Sequence, residues 1–143
     1  MPKYETEEDL ANEAEIAHIV GESWGKFLKK VSDVKYRVDR AIVNASGEVI
    51  GMVEIKDRTS SNLNFKDIDN VFLSLDKFNK GAEFSIKNNL AFYFIVRFPD
   101  GIYAYRYTQK EFKVHWVDAM EERRQDPIVK IPTKYFVRID ATN

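Results

Sequence analysis

Two runs constrain the fold of this chain more than any other feature. Glu48–Lys56 reads EVIGMVEIK and Leu90–Phe98 reads LAFYFIVRF. Both are rich in β-branched or aromatic residues and run nearly without polar interruption, the pattern of a strand buried on both faces. Such strands cannot stand alone, because each face must be covered by another layer. The flanking sequence supplies partners. Tyr36–Val43 alternates and leads into Asn44-Ala-Ser-Gly47, a turn whose glycine tolerates positive φ, so a hairpin feeds the first run. Pro99-Asp-Gly101 follows the second run, and Ile102–Tyr107 returns from it.

The covering layers are expected to be helices. Over residues 7–31, Leu10, Ala14, Ala17, Val20, Trp24, Phe27, Leu28 and Val31 recur at helical spacing. Thr6 with Asp9 resembles a capping box, with Asp in place of Glu. Gly21 and Gly25 weaken the C-terminal half and leave room for a break there. Residues 57–64 are polar and loop-like. Residues 65–80 read as a second helix carrying Ile68, Val71, Phe72, Leu75 and Phe78 on one face, with Gly81 as its C-cap. The tail offers the segment Phe112–Val117, a short charged helix near 118–125, and strand candidates at 128–131 and 135–139. The expected architecture is α/β, a central mixed sheet flanked by helices, in a single domain over 1–143, since no repeat or linker divides the chain.

Composition narrows the chemistry. The 143 residues are 44% hydrophobic and 31% charged, which suits a soluble globular domain. No apolar run approaches the ~20 residues of a spanning helix, and the acidic start MPKYETEEDL lacks the apolar region of a secretory signal. No membrane association is expected. Cysteine is absent and only His18 and His115 are present, so a metal would be held by carboxylates, which favours a hard ion such as magnesium or manganese. A net charge of −1 argues against coating nucleic acid by bulk electrostatics but leaves local binding open. No Gly-rich phosphate loop or GxGxxG is present, which disfavours a nucleotide-binding enzyme.

Charged residues in apolar settings mark the candidate site. Glu54 and Lys56 end the first core run and, two apart, project from one face of the strand, while Val53 and Ile55 take the other. Asp39 lies on the partner strand. If it faces the same side, two carboxylates meet, which is unfavourable unless a cation sits between them. Glu13 falls at about 220° on a helical wheel, the centre of the apolar stripe of the first helix, while Glu15 falls near 60°, on the opposite side. A carboxylate in an apolar stripe needs a partner. Asp39 could equally be a solvated partner of Arg37 or Arg40, and Glu54 with Lys56 an ordinary surface pair.

Asp39, fourteen intervening residues, then Glu54-Ile55-Lys56, preceded by a helix bearing Glu13, resembles the PD-(D/E)XK nuclease superfamily of restriction-endonuclease-like fold. The resemblance covers about residues 8 to 107, with α-β-β-β-α-β order, and LSLDKFNKGAEF with RFPDG is similar to small phage-encoded members. It departs at Val38, where the family pattern has proline. The resemblance implies a metal-dependent nuclease acting on DNA in the cytoplasm of a bacterial or phage-infected host cell. Glu13, Asp39, Glu54 and the Ile55 carbonyl would hold Mg2+, with Mn2+ able to substitute, and Lys56 would activate water. It also leaves open a homodimer, guidance by a partner, or an inactive binding or assembly module on the same fold. The family's second helix often adds a basic group, which makes Lys77 a candidate for the site, but on a helix over 65–80 it falls away from the apolar face, so a solvated lysine stands at least equally open. Arg58 and Arg97 could contact phosphate or balance nearby acids. Tyr93, Tyr103, Tyr105 and Tyr107 read as sheet packing, His115 as structural and His18 as exposed.

Overall fold

The computed structural model describes residues 7–30, 40–108, 112–116 and 127–139. The first helix, α1, runs Glu7–Trp24. It stops short of the expected end because Gly25 takes a positive φ of 66°. Phe27–Lys30 then forms an edge strand, β1, where the sequence suggested continued helix. The apolar Phe27 and Leu28 fit either reading by spacing; Leu28 is buried and Phe27 exposed, as alternation on a strand requires.

β2 (Arg40–Val43) and β3 (Val49–Asp57) form the described part of the expected hairpin; residues 36–39 of its first strand lie outside the described residues. The Asn44 side chain accepts from the backbone N–H groups of Ser46 and Glu48, and Gly47 supplies the positive φ. The region read as a second helix divides in two. A 3-10 turn at Phe65–Asp67 precedes strand β4 (Asn70–Ser74), and only then does helix α2 (Leu75–Asn88) begin. Val71 and Leu73 are buried and Phe72 is exposed, a period of two that helical counting misses. Ser74 caps α2, its Oγ accepting from the Lys77 N–H at 3.1 Å. The helix runs through Gly81 and ends at Asn89 in the left-handed conformation, so Gly81 is not a cap. It is buried where α2 crosses β5, and any Cβ there would overlap the Phe92 ring.

β5 (Ala91–Phe98) and β6 (Gly101–Arg106) form the second hairpin. β7 (Lys113–Trp116), β8 (Pro127–Pro132) and β9 (Phe136–Ile139) complete the described strands. The helix expected near 118–125 lies outside the described residues. Six strands make a mixed sheet in the order β1-β2-β3-β5-β6-β9, with β3 and β5 parallel and the other pairs antiparallel. The arrangement is a restriction-endonuclease-like α/β core. One difference from the simple flanked sheet is a second, three-stranded antiparallel sheet, β4-β8-β7.

The central sheet thus has two different covers. On one face, Ile16, Ala17 and Val20 of α1 pack on Val53, Ile55 and Ile95. On the other, Val71, Leu73, Val129 and Ile131 of the small sheet pack on Phe94, Val96, Tyr103 and Tyr105, with Leu75 and Phe78 of α2 alongside. The tyrosines pack as expected: Tyr103 stacks on Phe65 with centroids 3.7 Å apart, and Tyr105 is buried. His18 is exposed. Among the described residues no helix is long and apolar enough to cross a membrane.

Candidate active site

The C-terminal end of β3 emerges between these two covers, and its alternation sends consecutive residues to opposite sides. Val53 and Ile55 enter the α1-side core, which leaves Glu54 and Lys56 on the face of α2 and the small sheet. Phe94, paired with Glu54 across the parallel ladder, belongs to that second core. Among the described residues Glu54 and Glu13 are the buried charged side chains, 3% and 8% exposed. Burying an ionised carboxylate is costly unless a cation or several donors answer it.

For Glu54 the answer is Lys77. Its Nζ lies 2.6 Å from Glu54 Oε2, with the two side chains 23% and 4% exposed. Of the two readings open for Lys77, the solvated one given by the wheel is corrected. A helix drawn over 65–80 mixes the strand residues Ile68, Val71 and Phe72 into the apolar face and rotates its centre away from Lys77. The real helix starts at Leu75, and Lys77 lies one turn before Gly81, the residue pressed against the sheet. It therefore shares the sheet-facing row of α2. Lys56 is half-buried on the Glu54 side of β3.

Glu13 opens the buried stripe of α1, followed by Ile16, Ala17, Val20 and Gly21. Its place within the stripe agrees with the wheel. The position of this part of α1 is given by Glu15, which is largely exposed and reaches Arg97 at 2.8 Å. Arg97 pairs in register with Asp57, the last residue of β3. The N-terminal half of α1 thus lies over the end of β3 that carries Glu54 and Lys56. Asp39 lies outside the described residues. The last described rung of the β2/β3 ladder is Arg40↔Val53, and Asp39 and Glu54 are the chain neighbours of those two residues. Among the described residues no three His, Asp or Glu side chains gather closely enough to hold a metal.

Two arginines near this end differ sharply. Arg97 donates to Asp57 Oδ2 at 3.0 Å and to Glu15 Oε1 at 2.8 Å. Of the two readings open for Arg97, it balances neighbouring acids. Burial tends to raise the Asp57 carboxyl, but the Arg97 guanidinium and the N–H and hydroxyl of Thr59 outweigh it and hold Asp57 below the usual carboxylate range. The Asp57 carboxylate in turn holds Arg97 above its ordinary value. Sequence reasoning missed Asp57 as a structural acid. The signal was present, since Asp57 follows Lys56 by one and so faces the α1 side with Ile55.

Arg58 has no such partners. Its guanidinium carbon sits 5.9 Å from the centroid of the Phe94 ring. Among the described residues it has no ion pair or side-chain hydrogen bond. Burial pulls its guanidinium below the ordinary value. Its backbone is fixed from two directions: Arg58 N–H donates to the Arg97 carbonyl at 2.8 Å, and its own carbonyl accepts from Ser61 Oγ at 2.8 Å.

The described end of β3 therefore gathers Glu54, Lys56, Lys77 and Arg58 on one side and Asp57, Arg97 and Glu15 on the other. Searches of curated proteins and of solved structures find no match. Residues 1–139 match the family described as "Phage putative PDDEXK endonuclease", and the chain belongs to that family.

Proposed function

We propose that this protein is a metal-dependent nuclease that hydrolyses phosphodiester bonds in DNA. The observation that carries the reading is the buried Glu54 at the end of a core strand, ion-paired to Lys77, with Lys56 beside it on the same face. A second buried acid, Glu13, lies on the helix that covers this strand end. Membership of an endonuclease family supports nucleic acid as the substrate.

In this reading Glu54, Asp39 and the Ile55 main-chain carbonyl provide oxygen ligands for a hard divalent ion, and Glu13 completes the set. Two buried carboxylates and the absence of cysteine fit magnesium or manganese rather than a thiophilic metal. A bound ion of this kind supplies Lewis acidity at the scissile phosphate and offsets the charge that develops there. The residues of the chain do the rest. The Lys56 ammonium orients the attacking water and favours its deprotonated form. The Lys77 ammonium fixes Glu54 Oε2 and balances part of its charge. The apolar β3–β5 core beneath keeps these groups on rigid strands, which limits the reorganisation needed when the phosphate arrives.

The test is cleavage of supercoiled, linear and single-stranded DNA by the wild type and by Lys56→Ala, with magnesium, manganese or EDTA. The proposal expects metal-dependent cleavage by the wild type, abolished in EDTA and reduced about 1,000-fold in Lys56→Ala, within the range for loss of a proton-transfer group. Cleavage that survives EDTA, or a Lys56→Ala variant as active as the wild type, would refute it.

A further inference from the structure

We infer that Arg58 binds the substrate backbone, its guanidinium contacting a non-bridging oxygen of a phosphate beside Glu54. The inference rests on the nuclease reading and adds the group that holds the strand. Arg58 is half-buried, and among the described residues no carboxylate answers its charge. A cation removed from water without a counter-charge is costly, and such a position persists where an anion can complete it. Arg97, whose carbonyl accepts from the Arg58 N–H, shows what a structural arginine looks like here, bonded to two acids.

Placement agrees with charge. The main chain of Arg58 is held by Arg97 and Ser61. From there its side chain reaches the Phe94 ring, and Phe94 is the ladder partner of Glu54. The guanidinium therefore stands on the Glu54 side of the strand end. It shares that side with Lys56 and with Lys77, the cation paired to Glu54. The planar fork of a guanidinium matches two phosphate oxygens, and the ring keeps the fork oriented.

The experiment measures binding of a short labelled DNA duplex in calcium against salt concentration. It compares the wild type, Arg58→Met, which keeps an apolar stem on Phe94, and Arg58→Lys. Arg58→Met is expected to bind about tenfold more weakly and to lower the slope of log K against log salt by about one, as loss of one phosphate contact does. Arg58→Lys is expected to restore the slope but only part of the affinity. A slope and affinity unchanged in Arg58→Met, with an unchanged circular dichroism spectrum, would overturn the inference. If Arg58→Met does not fold, Arg58→Lys decides: affinity equal to the wild type overturns it, and weaker binding at unchanged slope supports it. A parallel cleavage assay separates the two claims. A wild type that cleaves while Arg58→Met binds like it overturns the Arg58 assignment alone. A wild type that never cleaves while the slope still depends on Arg58 overturns the nuclease reading alone.

Discussion

The two sides of the β3 terminus carry similar charges and opposite logic. On the α1 side, Asp57, Arg97 and Glu15 form a closed set in which Arg97 answers both acids. On the α2 side, Glu54 is answered by Lys77, while Arg58 meets no carboxylate among the described residues. A closed network stabilises the fold and asks for nothing further. An open one, fixed on core strands and next to a buried acid, is prepared for an anion from outside. Exposure points the same way, since Glu54 is far more deeply buried than Glu15. The comparison assigns structure to the Asp57–Arg97–Glu15 set and chemistry to the groups around Glu54.

The largest way to break the α2 side is mechanical. Gly81→Ala places a methyl group against the buried Phe92 ring, with helix on one side and strand on the other, so neither can yield cheaply. Overpacking of this kind costs about 3 kcal/mol, which lowers the melting temperature by roughly 10 °C in a chain of this size. Cleavage should fall as well, because the displaced helix carries Lys77 away from Glu54. A melting temperature equal to the wild type would mean that α2 does not rest on β5 through Gly81.

Arg97→Met probes the α1 side. It leaves Asp57 mostly buried without its cation and frees Glu15, whose exposure makes its share small. The expected cost is about 1–2 kcal/mol, by urea denaturation, with cleavage changed by less than about threefold. A stable but inactive Arg97→Met would move Arg97 into the reactive set.

The smallest effect is a pH dependence. Asp57 is held below its ordinary value of 3.8 in the fold. A carboxylate depressed in the native state contributes stability above its unfolded value, and that contribution is lost as pH falls through the folded one. The wild type should therefore lose stability on acidification below about pH 4 more steeply than Asp57→Asn. Asp100, where burial raises the carboxyl but the N–H groups of Phe65 and Lys66 among its hydrogen bonds together outweigh it, acts in the same direction in both proteins and cancels from the difference. Parallel acid profiles for the two proteins would remove Asp57 from the network.

Much of this arrangement was legible in the sequence. The two core strands stood out because burial on both faces leaves long apolar runs that few other structures tolerate. Glu13 was legible because a carboxylate inside a helical stripe violates the pattern, and the structure buries it there. What failed were segments whose periodicity was ambiguous. Phe27 and Leu28 extend the helical pattern of α1, and only the positive φ at Gly25 decides for a new strand. Val71, Phe72 and Leu75 fit a helical face as well as an alternating strand, and the start of α2 depends on the Ser74 cap. That one error of phase hid Lys77. The fates of Arg58 and Arg97 could not be read from the chain, because Glu15 is 82 residues from Arg97 and meets it only through the fold.

The comparison is tested most directly by measuring metal-dependent DNA cleavage and thermal stability together for Glu54→Gln and Asp57→Asn. The two substitutions are chemically equal, and their positions lie three residues apart on opposite sides of one strand. The account predicts that Glu54→Gln abolishes cleavage while the protein still melts as a folded domain, and that Asp57→Asn melts lower yet cleaves at close to the wild-type rate. A Glu54→Gln protein that still cleaves, or an Asp57→Asn protein that is fully stable and inactive, would contradict it.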